Sequence, residues 1–194
     1  NLTWVWDNTA TYEKVFEKHS ITLMGGMSSQ ENEYHYLNGS IQSFASNLTQ
    51  QMDNGTHQPT LGGSPSSWSL ASYMGRVNYS YNGRYLATAT LRRDGSSRFG
   101  EGNKWGLFPS GSIAWRVSEE DFMKPLTFIN SMKIRAGYGV TGNQEIGNYS
   151  FASALQTIKY NFNGSVVNAV VPLMMPNPNV KWEEQKQANI GVDA

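Results

Sequence analysis

The chain has 194 residues, enough for one domain with a sizeable core. Its 15 basic and 15 acidic residues balance, so it lacks the basic surplus of a nucleic-acid-binding protein, and no nucleic-acid partner is expected. It contains no cysteine, which excludes disulfide bonds and thiolate metal sites.

Charged residues make up 15% of the chain, below the usual quarter or so. Aromatic residues are frequent, with 6 Trp, 10 Tyr and 8 Phe, and there are 19 glycines. This composition favours a β-rich protein. No window is long and apolar enough for a membrane helix, but barrel strands need only about 9–11 residues of alternating polarity. Alternating runs reach both ends, so we expect the chain to be a piece of a longer protein.

Seven stretches alternate between apolar and polar residues with a period of two, which predicts antiparallel β-strands. They cover approximately residues 2–16, 21–36, 69–81, 85–92, 105–117, 132–141 and 185–194. Between the third and the fourth, Asn82-Gly83 is the dipeptide preferred in two-residue hairpin turns, because both positions need a positive φ.

The links between these strands alternate between short and long. The short links lie at residues 17–19 and 81–84, with a medium one at 118–131; the long links cover 30–67, 94–104 and 142–181. An up-and-down transmembrane barrel has this asymmetry, with short turns at one rim and long loops at the other. Alternation alone is equally typical of a soluble β-sandwich. The loop lengths favour the barrel.

Three local features are predicted within the links. Residues 41–52 have apolar side chains at helical spacing and are predicted as a short helix. Ser118 is expected to cap a second short helix that Pro125 ends. The run 166–175 is unusually apolar for a loop, so we expect it to be buried against another loop or a partner.

Several uncommon sequence motifs occur in a fixed order and spacing between about residues 72 and 149. They are GRVNYSY at 75–81, LRRDGSSRFG at 91–100, WGLFPS at 105–110, AWRVSEE at 114–120 and KIRAGYGVTGNQ at 133–144. This succession closely resembles the SusC/RagA family of TonB-dependent outer-membrane transporters of Bacteroidetes. Trp182-Glu183 resembles the entry of the family's next strand.

The resemblance implies an all-β fold of antiparallel up-and-down strands, part of a 22-stranded transmembrane barrel in the bacterial outer membrane, with long outer loops. Residues 1–194 would then be a partial barrel of about seven strands, with the plug domain and TonB box expected upstream. It also implies import of a glycan or peptide, energised through TonB and lidded by a SusD-like surface lipoprotein. The alternative is a secreted β-sandwich that binds carbohydrate.

No catalytic set is supported, so the chain is not expected to be an enzyme or to hold a cofactor. His19, His35 and His57 are scattered, without the spacing of metal ligands. Aromatic residues in the long links are candidate contacts for the substrate or the lid partner, since they can stack on sugar rings. These candidates are Phe44, Tyr149, Phe151, Tyr160 and Phe162.

Charged residues supply two further groups of candidates. The motif at residues 91–100 lies at the outer rim in the family that the chain resembles. We hypothesise that its charged residues form a salt-linked network there: Arg92, Arg93, Asp94 and Arg98. A second set of arginines shares the polar parity of the strands and is predicted to face the lumen, with membrane lipid against the opposite face. This set comprises Arg76, Arg92, Arg116 and Arg135.

Overall fold

The structure, a computed structural model, describes residues 1–44, 46, 48, 51–126 and 128–194, with the backbone alone for residues 56–59. Over these residues the chain is almost entirely β-strand. The strands are β1 (Leu2–Phe16), β2 (His19–Phe44), β3 (Gly55–Tyr81), β4 (Tyr85–Ser96), β5 (Trp105–Arg116), β6 (Lys133–Asn143), β7 (Leu155–Phe162), β8 (Ser165–Pro172) and β9 (Glu183–Asp193).

Seven of these strands form one antiparallel sheet in the order β1-β2-β3-β4-β5-β6-β9. Each strand lies beside its predecessor in the chain, except that the hairpin β7–β8 is inserted before β9. The predicted all-β, up-and-down architecture is therefore confirmed.

The register places apolar side chains from all seven strands on one face of the sheet, because directly paired residues share a face. One continuous row consists of Tyr12, Leu23, Val77, Ala89, Gly111, Tyr138 and Ala188. We call this face the apolar face and its opposite the polar face. The apolar face is uncovered within the described part of the chain, with Val77 43% and Ile113 65% exposed.

The two ends of the sheet are built differently. Links 17–18, 82–84 and 117–132 lie at one end, which we call the tight rim; links 45–54, 97–104 and 144–182 lie at the other, the wide rim. At the tight rim Asn82 and Gly83 have φ angles of 52° and 65°, as the predicted hairpin turn requires.

Strands β2 and β3 extend much further than their apolar alternation indicated. They pair without a break from His19↔Tyr81 to Ser40↔Thr60, so most of the predicted link 30–67 is a two-stranded ribbon. Both faces of this ribbon meet solvent, and its sequence therefore lacks the alternation that marks a half-buried strand. The predicted helix 41–52 is wrong at its start, since residues 41–44 belong to β2; residues 45, 47, 49 and 50 lie outside the described residues.

The predicted long loop 142–181 contains the hairpin β7–β8. Its turn is again Asn-Gly, with φ angles of 51° at Asn163 and 80° at Gly164. Within the described chain the apolar run 166–175 is not buried as expected, because Val166 is 69% and Met175 88% exposed. The hairpin forms a sheet of its own.

Ser118 does not have the predicted capping role. A 3₁₀-helix, Val117–Glu119, follows Arg116, and Ser118 lies inside it; no side chain caps this helix. Val117, predicted as the end of a strand, is instead buried in this helix. Among the described residues, no helix has the length and apolar character needed to cross a bilayer.

The hydrophobic core is small and lies at the wide rim. Phe99, Phe108 and Trp182 are buried there, and the Trp182 ring centroid lies 5.2 Å from that of each phenylalanine. The indole Nε1 of Trp182 donates a 3.0 Å hydrogen bond to the Lys104 carbonyl oxygen. This cluster joins the link 97–104 and β5 to the far end of the link 144–182. A sandwich would instead have its core between two sheets.

Candidate functional site

The four arginines predicted to face the lumen all lie on the polar face. Arg76 pairs with Thr90, which puts Arg92 on the same face two residues further along β4. The pairing of Ser110 with Thr90 and with Gly139 extends this face to Arg116 and Arg135. That this face lines a lumen remains a prediction.

A hollow of about 440 Å³ opens on the polar face towards the wide rim. Arg76, Arg92, Asp94, Gln144 and Trp182 are among the residues that line it. Gln144 Oε1 is buried and has no hydrogen-bond partner among the described residues. Guanidinium donors, a carboxylate and a free amide acceptor beside an indole can recognise hydroxyl or amide groups. The hollow can therefore bind a ligand that carries such groups.

Arg92 is fixed within this hollow. Its Nε lies 2.8 and 2.9 Å from the two carboxylate oxygens of Asp94, and its Nη2 donates to the Ser72 hydroxyl at 3.2 Å. Asp94 and Ser72 are both buried. Arg92 and Asp94 therefore form the part of the predicted rim network that the structure brings together directly.

Arg98 joins two links at the wide rim. Its Nε donates to Asn148 Oδ1 at 3.0 Å, and its Nη1 donates to Glu145 Oε2 at 3.1 Å and to the Gln144 carbonyl oxygen at 3.3 Å. Its guanidinium also lies 5.0 Å from the Trp68 ring centroid. Sequence reasoning missed these partners, because no local pattern relates residues some 50 positions apart.

Arg93 has neither of these roles. It lies on the apolar face, where its guanidinium is 4.7 Å from the ring centroid of Trp105. The four residues of the rim motif therefore make separate contacts: Arg92 with Asp94 on the polar face, Arg98 with the link 144–182, and Arg93 with Trp105.

We expect Arg98→Ala to loosen the wide rim without disturbing the sheet. Charge-assisted hydrogen bonds contribute about 1.5–3 kcal/mol each, and Glu145, 75% exposed, is solvated when left alone. Limited proteolysis of the full-length protein should cut the link 144–182 at least several times faster than in the wild type. Lys124→Ala removes an exposed cation from the tight rim and serves as the control. Unchanged cleavage would contradict a rim role for Arg98.

The aromatic residues of the links differ in how they are held. Phe44 ends β2 opposite Gly55. The Tyr149 hydroxyl lies 3.1 Å from Ser67 Oγ, and a Cβ added at Gly100 would lie 3.7 Å from Phe151, so both aromatics pack at the rim. Tyr160 and Phe162 lie on one face of β7 and are 55% and 67% exposed. Tyr149 is 51% exposed as well, but its hydroxyl is already bonded to Ser67, which leaves Tyr160 and Phe162 the most available for a partner or ligand.

The tight rim is held by Glu120, whose side chain is 13% exposed. Its carboxylate accepts hydrogen bonds from the Tyr85 hydroxyl at 2.7 Å, Trp115 Nε1 at 3.0 Å and Arg84 Nη1 at 2.9 Å. Hydrogen bonds from Tyr85 and Trp115, with the charge of Arg84, outweigh burial and lower the pKa of Glu120 below its ordinary value of 4.5. The ionised Glu120 carboxylate therefore stabilises the folded state at any pH above 4.5. This stabilisation is lost only as the pH falls through the lowered pKa.

The described residues contain no group of three or more His, Asp or Glu side chains that could hold a metal ion. His19 lies at the tight rim between Phe16, on which it stacks, and Tyr81, whose ring is tilted by 52°; both ring centroids are 4.9 Å from that of His19. Its Nδ1 is 2.8 Å from the Tyr79 hydroxyl, so this histidine is used in packing.

Comparison with known proteins gives one consistent family. Residues 2–193 match the family described as TonB dependent receptor-like, beta-barrel. TonB-dependent receptor P39 of Formosa agariphila is 39% identical over 190 residues, which cover 96% of this chain and 18% of the receptor. TonB-dependent receptor SusC of Bacteroides thetaiotaomicron is 40% identical over 129 residues, covering 64% of this chain and 13% of SusC.

A solved structure shares the fold. The structure of the RagAB peptide transporter superposes with a TM-score of 0.85 at 25% sequence identity, covering 98% of this chain and 21% of the matched chain. The chain thus spans about a fifth of the length of receptor P39 and of the matched RagAB chain.

Proposed function

Because this chain belongs to the TonB dependent receptor-like β-barrel family, we propose that residues 1–194 form about a third of the wall of a 22-stranded outer-membrane importer. The plug domain and the segment that contacts TonB would lie upstream. The coarser assignment, a receptor or transporter of the SusC/RagA type and not an enzyme, follows from the family.

The observation that carries the proposal is a pair of aromatic rows on the apolar face. The row at the tight rim runs through Phe16, His19, Tyr81, Tyr85 and Trp115, each in ring contact with the next. The row at the wide rim contains Tyr73 and Trp105, stacked with centroids 6.0 Å apart.

The separation of the two rows matches a bilayer. Tyr73 and Tyr81 are eight residues apart on β3, and Trp105 and Trp115 are ten apart on β5. At about 3.3 Å per residue and a tilt of about 45° this is roughly 19–23 Å, close to the apolar band of about 25 Å in outer-membrane barrels. Between the rows, this face of β3, β4 and β5 carries no charged side chain. Aromatic girdles around a lipid-facing band explain this arrangement.

The edges of the sheet support a larger barrel. Within the described residues β1 and β9 each have one neighbouring strand, and the other edge of each strand is open. Backbone groups must all be hydrogen-bonded in hydrocarbon, so strands in this environment close into a barrel. The remaining strands would come from the rest of the protein.

The polar face would then line the lumen, with Arg76, Arg92, Arg116 and Arg135 setting its charge. The substrate would be an oligosaccharide or a peptide, the two classes that the resemblance to the SusC/RagA family implies, and one similar solved structure is that of a peptide transporter. The hollow beside Gln144 could hold either. A SusD-like lipoprotein would cover the wide rim, and TonB would supply energy through the upstream part.

Tyr160 and Phe162 are the residues of the wide rim that we assign to contact with the substrate or the lid protein. Both are exposed on the same face of β7. Tyr149 is also exposed, but its hydroxyl is bonded to Ser67, and Phe151 packs near Gly100. Large aromatic side chains dominate contact energies when a partner covers them.

Fractionation of the source cells tests the proposal. An antibody to this segment should detect a heat-modifiable outer-membrane band several times heavier than 21.6 kDa. Deleting the gene should abolish uptake of either a labelled oligosaccharide mixture or a labelled peptide mixture, which identifies the substrate class. In the full-length protein, Tyr160→Ala with Phe162→Ala should lower that uptake, while Asn161→Ala, on the opposite face of β7, should not. A soluble band near 21.6 kDa would refute the importer.

A further inference from the structure

Trp105 lies flat across the apolar face at its wide-rim end. A Cβ at Gly95, its partner on β4, would lie 2.7 Å from the indole Cε3, so the ring occupies the place where a side chain would stand. The indole reaches over β4 and stacks on Tyr73 of β3, with ring planes 29° apart. Trp105 of β5 and Tyr73 of β3 thus form one aromatic platform, for which Gly95 of β4 leaves the space.

Arg93 rests on this platform without an acidic partner. Its guanidinium lies 4.7 Å from the Trp105 ring centroid, and the described residues place no carboxylate within 4.0 Å of it. Its neighbours in the same motif, Arg92 and Arg98, each have one, Asp94 and Glu145 respectively. The indole face orients the guanidinium but does not satisfy its N–H donors. Arg93 therefore presents free donors on the face opposite to the predicted lumen.

The position of Arg93 along its strand explains why a charged side chain is tolerated on the apolar face. It lies eight residues from Tyr85 along β4 and belongs to the wide-rim aromatic row, through its pairing with Tyr73. A cation on the lipid face of a barrel costs about 2–4 kcal/mol at the midplane but only about 0–1 near the interface. On the bilayer placement proposed above, the guanidinium lies at the level of the lipid headgroups.

We propose that Arg93, oriented by Trp105, binds the phosphate of a lipid in the outer leaflet. Guanidinium donors match phosphate oxygens in a two-pronged geometry, and a cation with no protein carboxylate nearby complements an anionic headgroup. Leu107, which pairs directly with Arg93, and Leu91, two residues nearer the tight rim on the same face, would contact the acyl chains of the same lipid. The site rests on the proposed membrane location of the sheet.

Native mass spectrometry of the full-length protein in detergent micelles tests this. The probes are phosphorylated lipid A and the same lipid without its phosphates. The wild type should bind the phosphorylated form roughly tenfold or more tightly, as expected for one charge-assisted contact. Arg93→Gln should abolish this preference and Arg93→Lys should retain part of it. Lys159→Gln removes a cation from β7 and should leave the preference unchanged.

Three results would overturn the site. They are equal binding of the two lipids by the wild type, an undiminished preference in Arg93→Gln, and displacement of the lipid by millimolar inorganic phosphate, which would indicate a free-anion site. The cell fractionation described above tests the proposed importer function independently of the lipid site. An Arg93→Gln protein that still imports substrate but has lost the preference supports the lipid site and leaves the importer intact.

Discussion

Val77→Arg is expected to prevent assembly of the full-length protein in the outer membrane. Val77 lies four residues from Tyr73 and four from Tyr81, midway between the two aromatic rows, and it pairs with Leu23 and Ala89 on the apolar face. A guanidinium at this depth costs about 2–4 kcal/mol, enough to remove much of a stability of about 5–15 kcal/mol. The measurement is the yield of heat-modifiable protein in the outer-membrane fraction.

The matched control is Asn78→Arg, one residue along the same strand. Asn78 lies on the polar face, where its Oδ1 accepts a 3.0 Å hydrogen bond from Thr88. Losing that bond costs about 1 kcal/mol, and the new charge would meet water in the lumen. Assembly of both variants in equal yield, or failure of Asn78→Arg alone, would reverse the assignment of the faces.

Phe99→Ala is expected to detach the wide rim while the sheet persists. The Phe99 side chain is fully buried, and its ring packs on Trp182 in the cluster that joins links 97–104 and 144–182. Phenylalanine-to-alanine changes in a core cost about 3–5 kcal/mol. Hydrogen exchange of the full-length protein should show faster exchange throughout both links, with little change in β3, β4 and β5.

Phe128→Ala is the control for this change. It removes the same side chain at the tight rim, where Phe128 is 78% exposed, so exchange at the wide rim should be unaffected. If Phe99→Ala and Phe128→Ala left the two links equally protected, the cluster around Trp182 would not be what holds them together.

The parts of the fold that could be predicted are those in which one face of a strand is apolar. The period of two was visible in β1, β3 and β6 because their apolar face is distinct from their polar face, and the turn at Asn82-Gly83 has a strong local signal. The ribbon of β2 and β3 beyond Tyr36 could not be found this way, since both its faces meet solvent. In contrast, the hairpin β7–β8 had a usable signal in Asn163-Gly164, the same dipeptide as the recognised turn.

The contacts of the candidate site could not be read in advance. Arg98 finds its partners in a link that follows two further strands, and Trp182 packs on Phe99 across a still longer separation in sequence. Glu120 lies two residues after the predicted cap Ser118, whereas its partners Tyr85 and Arg84 belong to another strand and turn. These roles depend on register and rim geometry, which a strand pattern does not encode. The substrate contacts and the lumen-facing arginines remain predictions.

The difference between the two rims also has a consequence for chain entropy. The link 144–182 is roughly thirteen times longer than the link 82–84, so bringing β9 onto β6 costs about 2 kcal/mol more in loop closure than bringing β4 onto β3. The hairpin β7–β8 reduces this cost, because its paired ends lie together and roughly halve the free length of the link. By the same logarithmic dependence this recovers about 0.6 kcal/mol. The hairpin β7–β8, which is not part of the main sheet, thus lowers the entropic cost of pairing β9 with β6.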